Sequence, residues 1–373
     1  MKSSKVHWVR LGDLVEPHKH KCGDESALVS GVDINKQFIS TRANLEGVDV
    51  SSYYSVPPKH FACNLMHIGR DIRIPIAYND SEDTYVVTSA YYIFRVKESR
   101  KNDVLEEYIY IYFNSTEKDR LAWFYTDGSV RGNLPEQRFL DMQIPLFDTI
   151  EEQRSIVGAW KSLRNLKGQN ESIAKHLMNL CQSYIESCRN KYKPVPFGTY
   201  VQRRDERNQN EECTNVKGLT VYKEFIETKA DMTDVSLKNY KRVYPGDIAY
   251  VSTTNRNGDR IACGLASEEC IVSSIYDVFY SKDENILDTS YLFMWFKRPE
   301  MDRYARYNSW GSARETITWE DLTAYRIPIP PIDVQRAVVS LYQCALEYKA
   351  IAAEADAQAR SICSALMQHA INC

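Results

Sequence analysis

Two stretches of the chain repeat their hydrophobic and polar positions with the period of an α-helix. They run from Glu151 to about Arg189 and from Asp333 to about Gln368, and they contain no proline and almost no glycine. At 1.5 Å per residue, each stretch predicts a helix roughly 55 Å long.

Apolar residues recur at positions a and d of a heptad in both stretches, a pattern typical of a coiled coil. The predicted seam of the first helix consists of Ile156, Leu163, Leu166, Asn170, Ile173, Leu177 and Leu180. The predicted seam of the second consists of Val338, Leu341, Ala345, Tyr348, Ala352, Ala355, Ala359, Ile362 and Leu366. Because bulky residues on one seam match small residues on the other, we expect the two helices to pair with each other.

Charge and one polar seam residue bear on this pairing. Residues 149 to 193 carry eight Lys and Arg against four Asp and Glu, whereas residues 332 to 373 carry three against four. The first helix is thus net positive and the second slightly net negative, so the two attract each other, with a small energy. Asn170 interrupts the apolar seam, where it either fixes the register of the pair or is a solvated residue at a frayed position.

The rest of the chain predicts two strand-rich globular parts, called heads below. Turn signals separate β-rich runs such as "TYVVTSAYYIFRV" and "ECIVSSIYDVFYS", and the apolar segments "LEEYIYIYFNS" and "TSYLFMWFKRP" predict buried helices. The predicted organisation is a head at 1–148, a spacer helix at 149–193, a second head at 194–331 and a second spacer helix at 332–373. The predicted fold class is α/β, with two mixed α/β heads joined by two long antiparallel coiled-coil helices.

The two halves of the chain are copies of each other. "GSVRGNLPEQRFLDMQIP" at 128–145 matches "GSARETITWEDLTAYRIP" at 311–328, and "IPLFDTIEEQR" recurs as "IPIPPIDVQR". Upstream, "VSGVDINKQFISTRANL" from Val29 and "VKGLTVYKEFIETKADM" from Val216 share seven of 17 residues, where chance gives about one. If the helices pair antiparallel, an approximate two-fold axis relates the copies, which suits the two-fold symmetry of duplex DNA.

Composition indicates the cellular compartment of the protein and the kinds of ligand that it binds. The chain has 373 residues, its polar start lacks the apolar core of a signal peptide, and it has no run of about 20 apolar residues. The ten cysteines are scattered without a Cys-x-x-Cys pair, which favours reduced thiols. "PHKHKC" places His18, His20 and Cys22 on alternate residues, but without a fourth ligand it indicates a polar loop. We expect a cytoplasmic protein with no metal, no cofactor and no membrane partner.

The order head, helix, head, helix, with the repeated junctions and the "GSVR" and "GSAR" turns before them, resembles the specificity subunit of type I restriction-modification systems, the HsdS family. The resemblance covers nearly the whole chain. It implies two target-recognition domains that read a bipartite DNA target with a fixed gap. It also implies that the helices hold two methyltransferase subunits, to which translocating nuclease subunits can be added, and that the subunit itself is not an enzyme.

The residues agree with the absence of catalysis. The sequence contains no Gly-x-x-x-x-Gly-Lys-[Ser/Thr] phosphate loop, no Pro-Pro-aromatic motif of adenine methyltransferases and no paired nuclease carboxylates beside a lysine. The formal net charge of -3 argues against DNA binding, because DNA is itself negatively charged. We therefore expect local clusters of basic residues, with methyltransferase subunits supplying part of the phosphate contacts.

The candidate DNA-binding residues lie in turns where basic and small polar residues are neighbours. They are Lys36, Arg42, Arg70, Arg73 and Arg131 in the first head, and Lys223, Lys229, Thr254, Asn255, Arg256, Arg260 and Arg314 in the second. Arg131 and Arg314 occupy the same place in both copies, which fits either phosphate positioning or a structural salt bridge.

Two other functions remain open from the sequence. A coiled-coil adaptor with two protein-binding heads explains the acidic balance without DNA. An enzyme with duplicated active sites around "YNDSED" or "SKDEN" has only its carboxylates as support, and such segments are usually turns.

Overall fold

The computed structural model describes residues 6–24, 27–41, 44–66, 68–129, 132–233, 235–253, 260–311 and 315–372, with the backbone alone at positions 70, 363, 364 and 366–372. The chain forms two compact units. The first combines Met1–Glu171 with Ala350–Cys373, and the second is Ser172–Lys349. Each unit therefore contains one head together with half of each long helix.

The first unit is built on antiparallel strands. They are β1 (Val6–Arg10), β2 (Val15–Pro17), β3 (Ser30–Val32), β4 (Phe38–Ser40), β5 (Tyr54–Val56), β6 (Phe61–Cys63), β7 (Ile76–Tyr78), β8 (Tyr85–Val87), β9 (Tyr92–Val96) and β10 (Gln143–Phe147). Its helices are α1 (Leu11–Leu14), α2 (Ile68–Asp71), α3 (Glu106–Phe113), α4 (Thr116–Phe124), α5 (Glu136–Leu140) and the start of α6 (Ile150–Lys191), with 3-10 turns at Val50–Ser52 and Glu98–Arg100. The central sheet has the order β2-β9-β6-β7.

The second unit repeats this plan. Its strands are β11 (Val195–Pro196), β12 (Val201–Arg204), β13 (Lys217–Leu219), β14 (Phe225–Glu227), β15 (Lys241–Val243), β16 (Ile248–Val251), β17 (Cys263–Leu265), β18 (Cys270–Val272), β19 (Tyr276–Ser281), β20 (Ser309–Trp310), β21 (Thr316–Ile317) and β22 (Arg326–Ile327). Its helices are α7 (Thr289–Phe296), α8 (Pro299–Tyr307), α9 (Trp319–Thr323) and the start of α10 (Ile332–Asn372), with a 3-10 turn at Phe197–Tyr200. The sheet β12-β19-β16-β17 has the same order as its counterpart, so the sequence repeat is also a structural repeat.

Each core is an aromatic layer between this sheet and a buried helix. Phe61 of β6 stacks on Phe94 of β9 with ring centroids 4.7 Å apart, and every residue from Tyr108 to Phe113 of α3 is buried. The continuous apolar segments are buried helices, as the sequence predicts. Since a buried hydroxyl needs a partner, Tyr108 donates to the carbonyl of Pro145 at 2.6 Å, and Tyr291 of α7 donates to that of Pro328 at 3.1 Å. These bonds use the proline of the repeated "IP" dipeptide.

A buried glutamine fastens each long helix to its head. The Gln153 side chain accepts from the Leu105 amide at 3.0 Å and donates to the Asp103 carbonyl at 2.8 Å. Gln335 accepts from the Asp288 amide at 2.9 Å and donates to carbonyls that include that of Ile286 at 2.8 Å. The repeated glutamine thus satisfies main-chain groups just before α3 and α7, which explains why both copies carry it.

The long helices α6 and α10 pair antiparallel, as predicted. In the first unit, Lys167 of α6 donates to Asp356 of α10 at 2.8 Å. In the second unit, Cys181 of α6 lies 3.9 Å from the carbonyl of Val338 in α10. The predicted seam of α10 lies on its covered side, with Val338, Ala345, Ala352, Ala355 and Ala359 all buried. The side chain of Leu366 lies outside the described residues.

The structure covers one row of the predicted α6 seam and exposes the other. Leu163, Asn170 and Leu177 are covered, and Asn170 is only 6% exposed, so it is not a solvated residue. Leu166, Ile173 and Leu180, however, are 43%, 41% and 49% exposed. The row one position later, Lys167, Ala174 and Cys181, takes their place. Either row forms a heptad pattern together with Leu163, Asn170 and Leu177. The small side chains of Ala174 and Cys181, however, allow α6 to approach the alanine-rich helix α10 more closely.

Candidate nucleic-acid interface

In the second head, main-chain contacts join the start of the "STTNRNGDR" segment to the strand that follows the "GSAR" turn. The Ile317 amide of β21 donates to the carbonyl of Ser252 at 3.0 Å, and Thr253 forms a β-bridge with Thr316. Because β20 pairs with β21, both strands of this hairpin are connected to Ser252 and Thr253, which follow β16. The sequence alone did not place these segments together, since they are about 60 residues apart.

The first head joins its corresponding segments in the same way. The Leu134 amide donates to the carbonyl of Leu65 at 2.8 Å, and the Gly69 amide donates to that of Gly132 at 3.1 Å. Gly132 has a φ of 58°, and a Cβ atom there would overlap the main chain of Gly69. The main chains at Gly69 and Gly132 therefore lie too close together for a side chain at position 132.

The structure places only some of the candidate DNA-binding residues. Arg73, Lys229 and Arg260 are exposed. Arg42, Arg131, Thr254, Asn255, Arg256 and Arg314 lie outside the described residues, as does the side chain of Arg70. Phosphate positioning and a structural salt bridge therefore both remain open for Arg131 and Arg314. Each of these arginines belongs, by its place in the sequence, to one of the adjoining segments.

Two candidates are buried and have structural roles. Lys36 is 4% exposed, and its ammonium group donates to Asp119 at 2.7 Å and to the carbonyls of Phe113 at 2.7 Å and Ile74 at 3.2 Å. Burial lowers the pKa of Lys36, and Asp119 opposes this effect. With three bonds inside the head, this ammonium has no donor left for a phosphate, so we remove Lys36 from the DNA-binding residues.

Lys223 is the counterpart of Lys36 in the second head and is removed for the same reason. Its ammonium group donates to Asp302 and to the carbonyl of Ile261. Asp302 also accepts from the Ile261 amide at 3.1 Å, as Asp119 does from the Ile74 amide at 3.0 Å. Both lysines occupy the left-handed region, with φ of 64° and 67°, at the tip of a hairpin where glycine is usual. The buried ion pair therefore holds a strained turn in each copy.

Exposed aromatic residues border the adjoining segments, and no motif of the sequence selects them. Trp310, in β20, is 73% exposed, and Tyr307 and Phe124, the last residues of α8 and α4, are also exposed. Tyr307 and Phe124 are equivalent in the repeat. Their one sequence signal is position, since each lies four residues before the glycine of the repeated Gly-Ser turn.

The predicted polar loop around His18 contains a histidine cluster that the sequence did not anticipate. The ring of His18 lies 4.3 Å from that of His20 and 4.4 Å from that of His60. Cys22 instead donates to the carbonyl of Val50 at 3.2 Å. Burial, with smaller contributions from His60, His20 and Arg95, lowers the pKa of His18 to about 4. Among the described residues, no group of His, Cys, Asp and Glu is arranged to hold a metal ion.

In the second unit, α6 exposes an apolar face. Ile173, Leu180 and Tyr184 are spaced by seven and four residues, so they lie on one side of the helix. Three large apolar side chains in such a row indicate a surface for another helix or protein.

Two mixed α/β heads of common topology, each followed by a long helix that pairs with the other, define a duplicated two-headed fold. The chain shares this fold with the crystal structure of a type I restriction-modification system S subunit from M. genitalium. The TM-score is 0.66 at 10% identity, over 97% of this chain and 96% of that one. The resemblance seen in the sequence is thus confirmed for the fold.

Two further solved structures align over the full length but less closely. The HsdS subunit from Thermoanaerobacter tengcongensis has a TM-score of 0.38 at 18% identity, over 96% of this chain and 95% of that one. A chain from a structure on complex assembly and conformational transition of the type I R-M system has a TM-score of 0.43 at 17% identity, over 96% and 97%. No protein-family model matches the sequence, and no curated protein matches it.

The described helices include none with both the length and the apolar character needed to span a bilayer. All eight cysteines that the structure describes are unpaired.

Proposed function

We propose that this protein is the DNA sequence-specificity subunit of a type I restriction-modification complex. The observation that carries the proposal is the full-length match of fold to an S subunit. The paired segments in each head support it, because each pairing joins the chain next to a basic turn of the repeat to a second loop segment. Residues 1–148 and 194–331 are the two target-recognition domains, and 149–193 and 332–373 are the spacer helices.

The target has two different specific blocks separated by a gap of fixed length. The heads share a topology but differ in the segments that would meet bases, "HIGRDIR" in one and "STTNRNGDR" in the other, so they read different sequences. Since α6 is one helix of 42 residues and a paired helix does not stretch, the gap is constant. The remaining candidates for DNA contacts are Arg42, Arg70, Arg73, Arg131, Lys229, Thr254, Asn255, Arg256, Arg260 and Arg314.

Catalysis belongs to partner subunits. Two methyltransferase subunits modify one base in each block, and the exposed face of α6 at Ile173, Leu180 and Tyr184 is the surface we assign to one of them. Translocating nuclease subunits are a further expected partner of the assembly. The protein acts in the cytoplasm and contributes recognition and placement.

Long-read sequencing of modified bases, in cells with and without the gene, tests this proposal. Loss of methylation at one bipartite motif upon deletion is the expected result. An unchanged methylation pattern in cells whose wild-type complex is present and assembled contradicts it.

A protein adaptor is the second candidate, favoured by the net charge of -3. Binding to duplex DNA at low salt in the presence of the methyltransferase separates the two. The specificity subunit binds and loses affinity as salt rises, whereas the adaptor does not bind.

A further inference from the structure

The first unit contains a cationic cleft, which has a volume of about 620 Å³ and lies between the head and the two paired helices. The head contributes the tip of the β3–β4 hairpin and Arg73, and the helices contribute Trp160, Arg164, Lys167, Asp356 and Arg360. Arg73 was selected from the sequence as a DNA-binding residue of the head. The structure places it at this cleft, beside basic residues of both helices.

Positive charge in the cleft is only partly neutralised. Asp356 is the shared acceptor for three cations, with Lys167 at 2.8 Å, Arg360 at 2.6 Å and Arg164 at 3.8 Å. Arg73 has no ion-pair partner among the described residues. Of the charged residues that line the cleft, Lys36 and Asp119 neutralise each other, and the remaining four cations face two carboxylates, those of Asp33 and Asp356. The excess of two positive charges stands out in a chain whose net charge is -3.

The rest of the cleft wall suits an oxyanion. Asn35, Asn114 and Thr116 line it with neutral amide and hydroxyl groups, and Arg164 is held over the ring of Trp160 at 5.5 Å. Guanidinium groups and neutral donors around an open space are the usual surroundings of a phosphate.

The repeat shows that packing does not require these charges. In the second unit, the places of Arg164 and Trp160 are taken by Leu346 and Tyr342, 182 residues later. The places of Asp356 and Arg360 are taken by Ala174 and Met178 of α6, 182 residues earlier. The cleft that Tyr342 and Leu346 line there has apolar walls at Phe225, Leu265 and Leu346, and its charged residues are the three lysines and two glutamates Lys217, Lys223, Lys297, Glu224 and Glu268. The helices thus pair there without counterparts of the Arg164 and Arg360 guanidinium groups, so helix packing alone does not require these two side chains.

We infer that this cleft binds phosphate groups of the DNA strand that continues from the loops of the first head into the unread gap. The inference rests on the proposed function. DNA is favoured over a free phosphorylated molecule because Arg73 belongs to the segment 64–73 that forms the loop surface of the head. The cleft therefore continues that surface onto the helices. Contacts made there are independent of sequence, as the gap requires.

The test uses the assembled methyltransferase complex with the variant Arg73→Gln/Arg164→Gln. Arg73 has no ion pair, and Asp356 keeps Lys167 and Arg360, so the fold should be retained, which thermal unfolding checks. Loss of two phosphate contacts should reduce the slope of log affinity against log salt by about 1.8 and weaken binding roughly 10- to 30-fold near physiological salt. The loss should be equal for target and non-target DNA, and the methylated motif should not change.

The matched control is Lys175→Gln/Lys349→Gln, which removes two exposed charges from the same helices without touching the cleft. It should change the salt slope far less. If the cleft variant has the wild-type slope while the wild-type complex binds its target, the inference is overturned and the proposed function stands. If the wild-type complex prefers no DNA sequence, both are overturned.

A second measurement distinguishes DNA from a free nucleotide. ATP is titrated against the complex without DNA. No binding is expected. Binding that the cleft variant loses, and that DNA does not displace, would assign the cleft to a nucleotide and overturn the assignment to DNA.

Discussion

Buried ion pairs fix the hairpins at Lys36 and Lys223. A charge removed from one member leaves the other buried without a partner, which is far more costly than losing an exposed pair. The sequence predicts that both lysines are exposed cations, because a lysine in a polar turn is usually solvated. Their burial follows from Asp119 and Asp302, which are about 80 residues away and could not be connected to them by local pattern.

The first prediction concerns Lys36→Met. The variant should lose about 3 to 5 kcal/mol of unfolding free energy, because the Asp119 carboxylate stays buried without its cation. Lys229→Met, at an exposed lysine, is the control and should change stability by less than about 0.5 kcal/mol. Urea unfolding followed by fluorescence measures both. Equal midpoints for the two variants would show that the ion pair is not structural.

The second prediction is a pH dependence in the first head. The pKa of His18 is about 4 in the folded chain and near 6.5 when unfolded, so the unfolded chain binds the proton more readily between these values. The stabilisation is fully present above pH 6.5 and is lost as pH falls towards 4. In His18→Gln the urea midpoint should fall less between pH 7 and pH 5 than in the wild type. A variant with the same pH dependence as the wild type would contradict the assignment.

The third prediction concerns Trp310, which lies in the hairpin beside the segment following β16. Trp310→Ala should weaken DNA binding about tenfold, through lost contact with the duplex, while thermal stability stays the same. Tyr222→Ala is the matched control, because Tyr222 is 72% exposed in the same head but lies outside the paired segments. Equal affinities for the two variants would remove Trp310 from the interface.

At the scale of elements, the two long helices show which parts of a sequence are predictive. The period of α6 and α10, their pairing and the covered row at Leu163, Asn170 and Leu177 follow from the heptad pattern. The second row of α6 does not follow from this pattern, because Leu166 and Lys167 both lie at a spacing that continues the heptad. Side-chain size favoured the wrong row, whereas the close approach of two helices favours Ala174 and Cys181.

The fourth prediction compares two adjacent residues of α6. Ala174→Lys should destabilise the protein by several kcal/mol, because a charge would enter the packed side of the helix. Ile173→Lys should leave unfolding almost unchanged but weaken assembly with a methyltransferase subunit, because Ile173 lies on the exposed apolar face. Analytical ultracentrifugation and urea unfolding measure the two effects. The reverse outcome would restore the seam predicted from the sequence.

At the scale of the whole molecule, duplication was the most reliable sequence signal. It predicts the common topology of the heads, and the structure explains the repeated residues through Tyr108 and Gln153 and their counterparts. The interface was harder to predict, because its segments meet only through long-range pairings such as Ile317 with Ser252. The cationic cleft was not predicted, because its basic residues come from three separate parts of the chain.

The central claim is that the two heads read separate halves of one target. The measurement that tests it most directly is the methylation motif of cells that carry a chimera, in which residues 1–148 come from another protein with this two-headed fold. We predict that one block of the motif changes while the other block and the length of the gap stay the same. A chimera that assembles with the methyltransferase but alters both blocks, or that methylates a continuous motif, would contradict the account.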